Sequence, residues 1–135
     1  MSVNLSTTVR NARLDAIETA ISTAPLLRIY SGTKPTACAD AATGTLLAEM
    51  TLPSDWLAAA SSGSKAKSGT WSDASANAAG TAGYFRIYDS TGTTCHAQGT
   101  VTATGGGGDM TLDNTSIASG QVVTITSFTL TDGNA

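Results

Sequence analysis

Few side chains in this 135-residue chain could carry covalent chemistry, and they are scattered. His96 is the one histidine, and it directly follows Cys95. A cysteine nucleophile needs its base within hydrogen-bond reach. Successive residues of a strand point to opposite faces, so in a strand over 95–103 the imidazole cannot easily reach its neighbour's sulfur. His96 then shares a face with Gln98 and Thr100 and is expected to face solvent or an interface. Cys38 and Cys95 are too few for a disulfide framework and lack metal-site spacing. They follow two similar segments, RIYSGT at 28–33 and RIYDST at 86–91, and would lie near each other if those segments pair. In a cytoplasmic product they are expected as free thiols. The ten carboxylates are dispersed. Asp109, Asp113 and Asn114 come nearest to a cation loop but lack the dense alternating oxygens of a calcium site. Gly105, Gly106, Gly107 and Gly108 form an unbroken run, yet no Lys-Ser/Thr follows and a strand-like DMTL comes next, so this is no phosphate cradle. It reads as a flexible hairpin tip or an adaptable contact loop. The expectation is a protein without enzymatic activity, metal or cofactor.

The elements that would hold these residues are mostly strands. Leu27 and Ile29 alternate with Arg28 and Tyr30, and Phe85 and Ile87 alternate with Tyr84, Arg86 and Tyr88. Leu46, Ala48, Met50 and Leu52 line one side of 45–52. Asp89–Thr93 reads as a tight hairpin with Gly92 available for positive φ, joining 84–89 to 94–103. Met110 and Leu112 mark a further short strand, and 121–131 closes the domain. One strand is expected near Lys67–Trp71. Between Pro53 and Ala82, Ser54 could cap a short helix through Ala60, or the chain could meander past an anchoring Trp56. At the N-terminus, apolar residues recur at helical spacing from about 6 to 22, Ser6 or Thr7 can cap, and Pro25 bars continuation. The stripe is narrow and Ala-rich, so this helix must dock through Val9, Ile17 and Ile21 on its own sheet or on a neighbouring subunit. The fold class is therefore mainly β: a single domain over 1–135, with one N-terminal α-helix and a β-sandwich or jelly-roll-like domain of about seven to eight strands over 26–132.

Near the C-terminus the apolar period breaks. Val123 and Ile125 alternate in one phase, Phe128 and Leu130 in the other. A β-bulge near Thr126–Ser127 would bring all four into one core; a regular strand covered on both faces, which Val122 favours, is the other solution.

Composition narrows the function. A hydrophobic content of 41% supports a real core, and a chain this long buries roughly two thirds of its unfolded surface. Ser, Thr, Ala and Gly make up 74 residues while 13% are charged. Such a surface can pack closely on neighbours with few ions to desolvate, although Thr-rich strands alone give the same composition. A net charge of −3 with scattered cations argues against nucleic acid as a partner. No apolar run approaches the ~18 residues of a membrane span, and the N-terminus lacks a secretory layout, so synthesis in the cytoplasm is expected. The outward pairs Arg28–Tyr30 and Arg86–Tyr88 are the best binding-surface candidates, since Arg and Tyr combine planar apolar area with fixed donors. Cross-strand Arg–Tyr stacking within one subunit is the alternative.

The segments MSVNLSTTVRNARLDAIETA, RIYSGT through TGTLLAE, KSGTW and GYFRIYDSTGTTCHAQGTV, with the Thr-rich C-terminus, resemble an uncharacterised family of tailed-bacteriophage virion proteins. The resemblance implies a small head decoration, or cement, protein on the outer surface of the capsid. Its partners would be the major capsid protein and further copies of itself, and its location the virion. A neck, tail or fibre-associated component and a carbohydrate- or receptor-binding β-module are the alternatives. Trp56 beside Asp55 and Trp71 beside Asp73 are the residues a sugar site would use.

Overall fold

The computed structural model describes residues 3–133. Helix α1 (Thr7–Ile21) is followed by strands β1 (Leu26–Ser31), β2 (Leu46–Thr51), β3 (Ser64–Ala66), β4 (Trp71–Asp73) and β5 (Gly80–Tyr88). Then come β6 (Cys95–Ala103), β7 (Met110–Leu112), β8 (Ser116–Ile117), β9 (Val123–Ile125) and β10 (Thr129–Thr131). The fold is mainly β with one helix. Ten strands, rather than seven to eight, are present among the described residues, because the segments around the core break into short pieces that change partners.

The main sheet is open and runs β2-β1-β5-β6-β7, with β8 paired to the start of β5. Two separate ladders, β3–β10 and β4–β9, are antiparallel. The two similar segments pair directly: Arg28 lies opposite Arg86 and Tyr30 opposite Tyr84. Leu27, Ile29, Phe85 and Ile87 therefore share the inner face with 0–3% exposure, as their alternation requires. In β2 the alternation fails locally. A register shift opposite Ile29/Tyr30 inserts Leu47 as an extra residue, and Leu47 is buried while Leu46 is only half-buried.

Trp56, Trp71, Phe128 and Phe85 form, in that order, an aromatic chain through the core, with successive ring centroids 6.0, 5.5 and 5.6 Å apart. Residues 54–60 form no helix. The chain meanders past Trp56, whose indole donates to the Ser22 carbonyl at 3.0 Å. The strand expected near 67–71 does not form: β3 ends at Ala66, β4 begins at Trp71, and between them Lys67 makes an isolated bridge to Leu57. At the C-terminus Val123, Ile125 and Phe128 are buried in one core with Leu130 packed against it, while Val122 is 60% exposed. The phase change is real, but it is made by an outright break at 126–128 rather than a bulge, as the chain leaves β4 for β3.

The hairpin 89–94 forms as its residue types require. Gly92 takes a φ of 73°, and the Asp89 carboxylate accepts from Thr93 N–H at 2.9 Å and the Thr91 hydroxyl at 2.9 Å. The glycine run serves a different purpose from a hairpin tip. β7 pairs parallel to β6, Val101 beside Met110, although only six residues separate the two strands. Parallel neighbours ordinarily need a crossover of a dozen or more residues. Here the chain reverses direction twice within that span, with Gly105 at φ 86° and Gly107 at φ 79°. A Cβ on Gly108 would meet Thr102 Oγ1 at 2.8 Å. Gly108→Val is therefore expected to push β7 off β6 and lower stability by about 1–3 kcal/mol. An unchanged denaturation midpoint would show instead that the turn has slack.

Candidate functional site

The outer face of the main sheet carries the Arg and Tyr side chains, and Tyr30, Tyr84, Arg86 and Tyr88 on it are buried. The segment between β1 and β2, residues 32–45, folds back across it as a strap. Arg86 anchors the strap, donating through Nη1 to the Asp40 carbonyl at 2.9 Å and through Nη2 to the Ala37 carbonyl at 3.2 Å. Its Nε donates to the Gln98 side-chain oxygen at 3.1 Å, and Gln98 in turn donates to the Pro35 carbonyl at 2.8 Å. The Tyr84 hydroxyl donates to the Thr43 carbonyl and accepts from Thr43 N–H at 2.9 Å. Tyr30 stacks on Tyr84 with centroids 5.1 Å apart.

Arg86, Tyr30 and Tyr88 are consequently 2%, 8% and 7% exposed, which corrects the expectation that these pairs present a binding surface. Arg86 holds the subunit's own strap, and the Tyr88 hydroxyl lies 3.5 Å from both Arg86 Nη1 and the Tyr30 hydroxyl. Burial, then the contact with Tyr88, pushes the Tyr30 phenol up to about 12. Arg28 is divided between two tasks: its Nε pairs with the Glu49 carboxylate at 2.6 Å, and its guanidinium lies 4.6 Å from the Tyr88 ring centroid. Cross-strand stacking within one subunit is thus the arrangement found at Arg28. Like charges directly opposite in an antiparallel pair repel. Arg28 and Arg86 escape this by diverging, one to Glu49 and the hairpin, the other to the strap.

A second cluster binds the helix. Lys65 is 2% exposed, and its ammonium donates to Asp15 Oδ1 at 2.7 Å, pairs with Glu18 Oε2 at 2.8 Å, and donates to the Ala58 carbonyl at 2.8 Å. Burial opposes the charge, but the two carboxylates more than offset it and Lys65 is held above its ordinary pKa. Asn11 accepts from Gly63 N–H at 2.9 Å, Arg10 donates to the Asp132 carbonyl at 3.0 Å, and Arg13 pairs with the Asp132 carboxylate at 3.2 Å. These bonds turn the mixed face of α1 inward with Leu14 and Ile21. The stripe expected to dock is left outside: Val9 is 44% and Ile17 37% exposed, and Ala12, Ala16 and Ala20 are exposed as well. Of the three predicted docking residues, Ile21 alone is buried against this subunit; Leu14 was missed because it stands apart from the Ala-rich stripe.

Gly105, Gly106 and Gly107 are exposed and Gly108 half-buried. His96 is exposed, and it is the extra residue where β6 shifts register against Ile87/Tyr88. Cys95, not His96, therefore shares a face with Gln98. Asp109 Oδ2 accepts from Thr100 N–H at 2.9 Å and its hydroxyl at 3.0 Å, capping the β6 edge and holding the carboxyl below the usual range. No group of three or more His, Cys, Asp or Glu is placed to hold a metal among the described residues. Trp56 and Trp71 are fully buried, so neither indole can stack on a sugar. No helix among the described residues is long and apolar enough to cross a membrane. Comparison with protein-family models, curated proteins and solved structures found no match to this chain.

Proposed function

We propose that this chain is a non-enzymatic structural protein that works by assembling, and that it decorates the outer surface of a tailed-phage head as a cement protein. The virion context rests on the sequence resemblance. The observation that supports assembly is the helix. Its polar groups are spent on its own subunit, through Lys65, Gly63 and Asp132, and this holds Val9, Ala12, Ala16 and Ile17 outward as a fixed apolar stripe. Ile17 also borders a groove of about 640 Å³ whose walls include Phe85, Ile87, Phe128 and Leu130. An apolar stripe held rigidly needs little ordering when a neighbour covers it. The partners on this reading are the major capsid protein and a second copy of the chain, with the exposed Gly105–Gly107 turn as a further contact; neither nucleic acid nor a cofactor is required. The two small ladders serve as the second layer of a minimal sandwich against the main sheet.

Repetition would make the function effective. A capsid offers the same site many times, so modest affinity per copy sums to lattice stabilisation. The test is to weigh this protein against the major capsid protein in purified particles, where on the order of hundreds of copies are expected. A handful of copies would instead indicate a neck or tail component, and none at all would end the virion reading. The double variant Val9→Asp, Ile17→Asp should fold with stability within about 0.5 kcal/mol of the parent, since both sites are exposed, yet fail to load onto particles. Normal loading would remove the helix from the contact.

A further inference from the structure

We propose that Cys38 and Cys95 form an intramolecular disulfide on meeting a small-molecule disulfide of the glutathione type, turning the 32–45 strap from a hydrogen-bonded cover into a covalently closed one. The two residues are 57 positions apart, yet the Cys95 thiol lies 2.7 Å from the Cys38 sulfur. Two features bring them together. Cys38 rides on the strap between Ala37 and Asp40, whose carbonyls are gripped by Arg86. Cys95 would point to the core side of β6 in a regular strand, alongside Ala97. The extra residue His96 shifts the register so that Cys95 lies opposite Tyr88, on the face the strap covers. Both thiols are free and half-buried, so a small reagent can reach them.

The local environment acts on the exchange in two opposed ways. Arg86 is buried and makes no ion pair with a carboxylate among the described residues, and its guanidinium favours the thiolate of Cys95. Burial and the neighbouring Cys38 outweigh it and push the Cys95 thiol up to about 12. The exchange is therefore slow at neutral pH and accelerates as pH rises. One protein thiolate attacks a sulfur of the small disulfide and expels one small thiol. The second protein thiolate attacks the protein sulfur of that mixed disulfide and expels the other small thiol. In sum, two protein thiols give up two electrons and two protons, and one small disulfide takes them up as two thiols. The second step is favoured because the strap already holds the two sulfurs in contact. In a reducing cytoplasm the thiols persist; outside the cell the bond persists.

Fully reduced protein incubated with oxidised glutathione at mildly alkaline pH, then denatured, alkylated and weighed, tests this. The expected product is a monomer lighter by two hydrogens, with no alkylated thiol and a Tm raised on the order of 10 °C. Added reductant should reverse the rise. Cys38→Ser should instead keep one glutathione on Cys95 and show no such rise. Glutathione retained on the parent chain, free thiols after prolonged incubation, cross-linked dimers alone, or a bonded monomer with an unchanged Tm would each overturn the proposal.

Discussion

Replacing Arg86 by leucine is expected to lower the free energy of unfolding by about 2 kcal/mol and to loosen the strap more than the sheet. Leucine keeps part of the apolar volume but removes the donors that now satisfy the Ala37, Asp40 and Gln98 oxygens. The two strap carbonyls sit on exposed residues, so they can regain water if the strap lifts. Lifting exposes Tyr30, Tyr84 and Tyr88, which limits how far the loss can be absorbed. Local opening should therefore show before global unfolding. Amide hydrogen exchange over 33–45 is expected to speed at least tenfold, while β1 and β5 stay protected. Equal exchange in parent and variant would mean that the tyrosines, not Arg86, hold the strap. An Arg86→Lys variant should fall between the two, because one ammonium cannot span all three oxygens.

A larger loss is expected from Trp71→Ala, about 3–5 kcal/mol. The indole is fully buried, lies between Trp56 and Phe128, and donates to the Ser68 carbonyl at 3.0 Å. It also anchors β4 opposite Ile125 in the β4–β9 ladder, which has only three residue pairs to hold it. Small domains are stable by about 5–15 kcal/mol in total, so this one truncation can consume most of the margin. Trp71→Phe should cost less, since it keeps ring contact and loses mainly the indole N–H. Urea denaturation of the three proteins gives the comparison. A Trp71→Ala midpoint close to the parent's would show that the two ladders are dispensable to the core.

The strands bearing the Arg and Tyr residues were legible because one face takes only apolar side chains and the other takes the Arg and Tyr side chains, which imposes a period of two. Leu27, Ile29, Phe85 and Ile87 have no other arrangement that keeps Arg28 and Arg86 out of the core. The hairpin at 89–94 and the helix start at Ser6 were legible for a related reason. Each is made by side chains bonding to backbone within five residues, so the chemistry is local. The pairing of the two RIY segments, on which the meeting of Cys38 and Cys95 was conditional, is found, Arg28 opposite Arg86.

Tertiary structure decided which faces meet solvent. Apolar periodicity placed Val9 and Ile17 on the docking side of α1, but the energy of docking lies in a lysine fifty residues away and in Gly63 and Asp132, which no local pattern connects to the helix. An Ala-rich stripe buries too little area to compete with those bonds. Alternation likewise showed that Arg86 and Tyr88 share a face, and could not show that a strap from 32–45 would cover it. For Cys38 and Cys95 the sequence offered nearness only on condition that the RIY segments pair, and their contact depends besides on a single extra residue in β6. The sequence by itself determined the elements and the inner face of the sheet, because those follow from neighbours along the chain. Only the folded molecule determined the covered outer face, the bare helix stripe and the thiol pair, because each depends on contacts between residues dozens of positions apart.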